Sequence, residues 1–215
     1  SKTVGMILGV AGLALVFAGC ASQQAKVSES ADPLPVDTDA NGAPQWHYLQ
    51  FRFARPSPEL TDRYLDLLVA SEVLAPLLVE YRDRLTLWRF HRRWPNDPTG
   101  HQFSWIVRAT PQTVAQLDAR IRSSAALTEL ESRGHLREYR VRVANVADPG
   151  ALSATSDRAW PDVLQREWPY FIMGASRMWL GLVQAEAARV GTSDLHARYR
   201  EASDAVETLW FDEGN

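Results

Sequence analysis

The sequence predicts an α+β fold: a ferredoxin-like βαββαβ sandwich with two additional C-terminal helices. Segments that alternate apolar and polar residues, the period-two mark of a half-buried strand, recur between Trp46 and Asn145. Stretches with helical apolar spacing separate the first from the second and the third from the fourth, whereas a turn-forming cluster, Pro95-Asn96-Asp97-Pro98-Thr99-Gly100, joins the middle two. That order is the split βαβ pattern, whose sheet carries its two helices on one side.

Each element has its own reason. Trp46 to Arg55 places Leu49, Phe51 and Phe53 on one side and Tyr48, Gln50 and Arg52 on the other. Ser57-Pro58-Glu59 then supplies a cap, a first-turn proline and an early acid, opening a helix to about Arg84 through Leu60, Tyr64, Leu67, Leu68, Leu74 and Leu78. Pro76 is expected to kink or break it, having no N–H to donate. Leu85 to Trp94 and His101 to Ala109 are the central hairpin. Thr110-Pro111 starts a second helix on Val114, Leu117 and Ile121, with a short continuation stopped at Gly134. Arg137 to Asn145 alternates again. Pro169 to Val190 is apolar almost all round (Phe171, Ile172, Met173, Met178, Trp179, Leu182), which predicts burial. Ser193 to Phe211 is amphipathic on Leu195, Tyr199, Val206 and Leu209.

Composition narrows the function. The chain has 215 residues, 46% hydrophobic and 23% charged, enough apolar material for a core and too much for a disordered or fibrous protein. One cysteine excludes an intrachain disulfide. A net charge of −3 with lysine only at Lys2 and Lys26 argues against a nucleic-acid partner.

The N-terminus reads as an address. After Lys2, the uncharged run Thr3 to Gly19 ends at Cys20, the order of a secretory signal, and is slightly short for a spanning helix. The chain starts at Ser1 without a methionine, and part of the charged leader is expected to precede it. Leu15-Val16-Phe17-Ala18-Gly19-Cys20 resembles the lipobox of bacterial lipoproteins, although that family usually has Leu where Phe17 stands. The resemblance covers residues 1–20 only. It implies that the Cys20 thiol takes a diacylglycerol and becomes the first mature residue, a palmitate-type anchor in which each buried CH₂ contributes about 0.8 kcal/mol. Ala21, rather than Asp, implies the outer membrane by the sorting rule of that class, with the folded body in the periplasm. Residues 20–45, rich in Ser, Ala, Asp, Gln and Pro, read as a tether; about 25 such residues reach roughly 25–30 Å. The expected organisation is a signal at 1–19, lipidated Cys20 and tether at 20–45, and an α+β domain at 46–215, split into a core at 46–146 and helices at 160–212.

The hairpin register locates a candidate surface. Pairing Trp94 with His101 sets Trp88 opposite Val107 and Phe90 opposite Trp105, an apolar face, and sets Arg89, His91 and Arg93 opposite Ile106, Ser104 and Gln102. The face without the fold helices then collects Arg52, Arg89, His91, Arg93, Arg140 and Arg142, with Ser104 on it, Arg108 near its edge and Glu138 as its sole acid. The plainer reading is that the C-terminal helices fold over this face and their acids (Asp194, Glu201, Asp204, Glu207, Asp212, Glu213) neutralise it; a second is scattered, solvated arginines. The functional reading is an anion-binding or partner-docking face, since guanidinium groups suit carboxylate and phosphate.

His91 opposite Ser104 is an ordinary cross-strand pair before it is a nucleophilic one, because no Gly-x-Ser-x-Gly turn or orienting acid accompanies it. The histidines at 47, 91, 101, 135 and 196 lack metal-ligand spacing. Trp46 and Trp94, near strand ends, are candidates for exposed aromatics at a small sugar-type site. The Trp46–Arg55 strand, the leucine-rich helix and the Trp88–Arg93 strand are together similar in architecture to the standalone elimination domains of thiopeptide and lanthipeptide biosynthesis. No shared catalytic motif accompanies that similarity, and it transfers no residue role. The leading expectation is a non-enzymatic envelope lipoprotein that docks an envelope protein or component, without catalytic residues, metal or cofactor. The alternative is an anion-binding enzyme or ligand-binding protein in which Arg52, Arg89, His91, Arg93 and Arg140 hold the anion and His91 carries a proton, used singly or as a sheet-to-sheet dimer.

Overall fold

The computed structural model describes residues 42–54, 62–93 and 100–212. The signal segment, Cys20, most of the tether, the Ser57-Pro58-Glu59 cap, Trp94 and most of the hairpin turn lie outside them. Among the described residues no helix is long and apolar enough to cross a membrane.

The architecture is α+β. Strands β1 (Gln45–Phe53), β2 (Leu87–Arg93), β3 (Gln102–Ala109) and β4 (Leu136–Val143) form one sheet in the order β2-β3-β1-β4, every neighbouring pair antiparallel. Alternation puts Leu49, Phe51, Phe53, Trp88, Phe90, Phe103, Trp105 and Val107 on one face, where they join the main core. The helices between strands supply the rest: α1 (Tyr64–Leu68) and α2 (Ala75–Glu80) after β1, α3 (Pro111–Arg122) and α4 (Ala125–Ser132) after β3. Thr110 caps α3, its side chain accepting from the Thr113 N–H at 3.2 Å. Gly134 adopts φ +71°, the left-handed geometry that stops α4 without a Cβ clash.

Pro76 does not end its helix. Between α1 and α2, residues Val69–Leu74 widen into a π-helical turn, and the Ala75 N–H reaches the Ala70 carbonyl, five residues back. The wider turn absorbs the proline that an α register cannot pair.

Helices α5 (Asp162–Arg189) and α6 (Leu195–Asp212) complete the described chain. α5 begins before the expected Pro169, which sits inside it. It runs along the free edge of β2, where the Phe90 N–H donates to Ser176 Oγ at 3.0 Å. An edge strand left open would offer unpaired backbone to other chains, and α5 covers this one. α6 packs on α1 and α5: Tyr199 donates to Glu72 Oε1 at 2.6 Å, and Arg63 meets Glu207 at 2.7 Å.

The burial expected all round α5 is corrected. Trp179, Leu180, Val183 and Ala187 are buried, but Phe171 is 66% and Met178 56% exposed, because α5 is held at the sheet edge and against α6, with its far side facing solvent. Trp46 also departs from expectation. It is fully buried, its indole donating to the Ala151 carbonyl at 2.9 Å beneath the segment that follows β4.

Candidate anion site

The expected hairpin register is the observed one, with Trp88 opposite Val107, Phe90 opposite Trp105 and His91 opposite Ser104. Read across the sheet from β2 to β4, the second face consists of rows. Arg89, Ile106, Tyr48 and Arg142 form one; His91, Ser104, Gln50 and Arg140 the next; Arg93, Gln102, Arg52 and Glu138 the last. Above the first row, Trp46, Leu87, Ile106 and Ala144 make a small apolar cluster under the post-β4 segment.

Among the described residues, no acid of the C-terminal helices forms an ion pair with Arg89, Arg108, Arg140 or Arg142. Glu207 is held by Arg63 at 2.7 Å, and the Asp194 carboxylate caps the start of α6 by accepting from Ala197 N–H at 2.9 Å. Glu138, the sole acid on the face, pairs with Arg52 at 3.1 Å and lies 3.8 Å from Arg140.

Arg140, Arg142 and Arg108 donate to neutral groups. Arg140 and Arg142 both donate through Nε to Gln50 Oε1, at 3.1 and 3.0 Å, and Arg142 lies over the Tyr48 ring at 4.4 Å. Gln50 and Ser104 are buried, and Ser104 Oγ accepts from Gln102 Nε2 at 3.1 Å. Arg108 clamps the post-β4 segment, donating twice to the Gly150 carbonyl at 3.0 and 3.2 Å.

Arg89 is the exception in kind. Its Nη2 donates to the Thr155 carbonyl at a long 3.4 Å, and its buried Nε meets no hydrogen-bond partner. No carboxylate pairs with it among the described residues. Partial burial pushes the guanidinium below the ordinary arginine range, with Tyr48 opposing, and a half-buried cation without a counter-ion is poorly compensated.

A cavity of about 620 Å³ opens beside this edge. Arg89, His91 and Arg93 line it from β2, and Trp168, Phe171, Ile172, Ala175, Ser176 and Trp179 from α5. Two acids also line it, and both are committed: Glu207 to Arg63, and Asp66 to Arg92 at 2.7 Å and His101 at 2.8 Å. Burial alone would raise the Asp66 carboxyl, but Arg92 and His101 outweigh it and hold Asp66 below the usual carboxylate range.

Of the expected site residues, Arg89, His91 and Arg93 reach the cavity together. Arg52, Ser104, Arg140 and Arg142 lie further across the same face, and Arg108 serves the fold. The cavity wall from α5 and the Asp66–Arg92–His101 cluster were not anticipated. The one signal for the latter was a lone acid in the otherwise apolar run Tyr64-Leu65-Asp66-Leu67-Leu68.

No known protein family, no curated protein and no solved structure matches this chain.

Proposed function

We propose that this protein is an envelope lipoprotein, anchored in the outer membrane through lipid on Cys20, whose body binds an anionic group carried on an apolar or aromatic moiety. The body is read as a ferredoxin-like sandwich with two added helices; the strand order β2-β3-β1-β4 and the helices between β1 and β2 and between β3 and β4 support that reading. The binding role rests on one observation above others: Arg89 is partly buried, its Nε fully so and without a partner, and no carboxylate among the described residues pairs with it at the wall of a cavity whose own acids are already paired. A phosphate or carboxylate entering there supplies the missing counter-charge, and guanidinium geometry suits both. Trp168, Phe171 and Trp179 give the ligand's apolar part a wall to stack on.

The reading is non-enzymatic: the geometry assembles charge and shape for binding, and no step of chemistry is assigned to it. Docking of an anionic envelope protein through the wider arginine face is the second reading, favoured by Arg140 and Arg142, which are exposed beyond the cavity.

Two experiments test the proposal. Metabolic labelling with palmitate is expected to mark the wild type and to miss Cys20→Ala; equal labelling of both refutes the anchor. Calorimetric titration of the full chain in a non-ionic detergent is expected to show binding of phenyl phosphate, weaker binding of inorganic phosphate and none of benzyl alcohol. Equal binding of phenyl phosphate and benzyl alcohol, or binding of neither, refutes the anion site.

A further inference from the structure

The outward side of α5 carries five of the protein's exposed large apolar side chains: Val163, Leu164, Tyr170, Phe171 and Met178. Most of an isolated helix's exposed surface is expected to be polar, so a contiguous apolar stripe along a long helix marks a contact surface. Two glycines lie on the same side, Gly174 and Gly181, and a Cβ built at either would meet nothing within 4 Å. Neither glycine is needed to fit the chain's own packing, yet each costs the helix about 1 kcal/mol relative to alanine. Small residues on an exposed helix face allow another backbone to come close.

Charge identifies the occupant. Glu167 and Arg177 are exposed on this stripe, and neither has an ion-pair partner among the described residues. An antiparallel copy of α5, related by a twofold axis level with Ile172, sets Glu167 beside Arg177 of the other copy. The same register sets Tyr170 over Gly174 and Val163 over Gly181, bulk against gap in both cases. It also brings Leu164 near Met178 and the two Phe171 rings together across the axis. One register thus pairs Glu167 with Arg177, fills both gaps and covers every exposed large apolar residue of the helix.

We infer that the protein self-associates as an antiparallel dimer through α5. This inference shares Phe171 with the wall of the proposed anion cavity, and its membrane confinement rests on the proposed lipid anchor. One helix stripe is small beside the roughly 800 Å² per partner of a standard stable interface, so the dimer is weak in dilute solution and strengthened by confinement on a membrane surface.

Disulfide trapping tests the geometry. Full-length chain carrying both Tyr170→Cys and Gly174→Cys, oxidised in native membranes, is expected to run as a covalent dimer, whereas a control pair at Tyr170→Cys and Gln184→Cys gives none. Charge swaps test the register: Glu167→Arg and Arg177→Glu each reduce trapping several-fold, and the two together restore it. Circular dichroism confirms that each variant is folded. Equal trapping by both cysteine pairs, no trapping by either, or no restoration in the double charge swap overturns the inference.

Discussion

Arg89 and Thr155 are joined by a guanidinium-to-carbonyl contact of 3.4 Å, and this is the only hydrogen bond that Arg89 makes among the described residues. A half-buried charge with one long bond to a neutral acceptor is poorly compensated. Arg89→Met, similar in volume and uncharged, is therefore expected to leave Tm unchanged or raise it, while lowering phenyl phosphate affinity at least tenfold. Thermal unfolding and calorimetry of the same preparation check both halves. A large drop in Tm would mean that the charge serves the fold.

Asp66 is the opposite case, a buried carboxylate compensated by Arg92 and His101. Asp66→Asn leaves those groups without their counter-charge and is expected to cost about 3–5 kcal/mol. The pH dependence follows from its lowered pKa. The stability it contributes is full above 3.8, its unfolded-state value, and is lost as pH falls through the lower folded-state value. Urea unfolding at pH 7 and pH 3 should show the variant losing much less stability than the wild type between the two.

His47 and His196 set a second pH limb. Burial lowers both, with Arg133 and His135 adding to the effect at His196. Since both fall below the unfolded value of 6.5, the unfolded chain binds more protons just under that pH. The stability these neutral rings provide is complete above pH 6.5 and declines as pH falls through their folded-state values. Unfolding midpoints measured from pH 7.5 to 4.5 should decline over this range, and His196→Asn should flatten part of the decline.

α5 separates two kinds of aromatic residue. Trp179 is 7% exposed and packs on Phe90 at 5.6 Å and Phe103 at 6.1 Å, so Trp179→Ala is expected to cost about 3–5 kcal/mol. Phe171 has its ring largely in solvent, and Phe171→Ala should change folding stability by no more than about 0.5 kcal/mol. Denaturant titration of both variants at low protein concentration measures the contrast.

The same helix shows where the sequence is legible and where it stops. The hairpin register could be read because period-two alternation fixes which side chains share a face, and a one-residue slip would have buried Arg89 and Arg93. No comparable rule fixes the surroundings of α5. Its apolar residues surround the axis, so periodicity cannot say which side meets the sheet edge, and burial was overestimated. Acid counts in α6 suggested neutralisation of the sheet arginines, yet pairing depends on where a helix docks, and Glu207 faces Arg63 instead. Trp46 looked exposed as a strand-end residue; the segment after β4 returns to cover it, a long-range contact that local pattern does not encode.

The central claim concerns where an anion binds, and a crystal structure of the chain with phenyl phosphate tests it most directly. The account predicts the phosphate within hydrogen-bonding distance of the Arg89 guanidinium, near His91 and Arg93, with the phenyl ring against Trp168 or Trp179. Phosphate bound only at Arg140 and Arg142, or a cavity holding the ring with its phosphate turned away from Arg89, would contradict it.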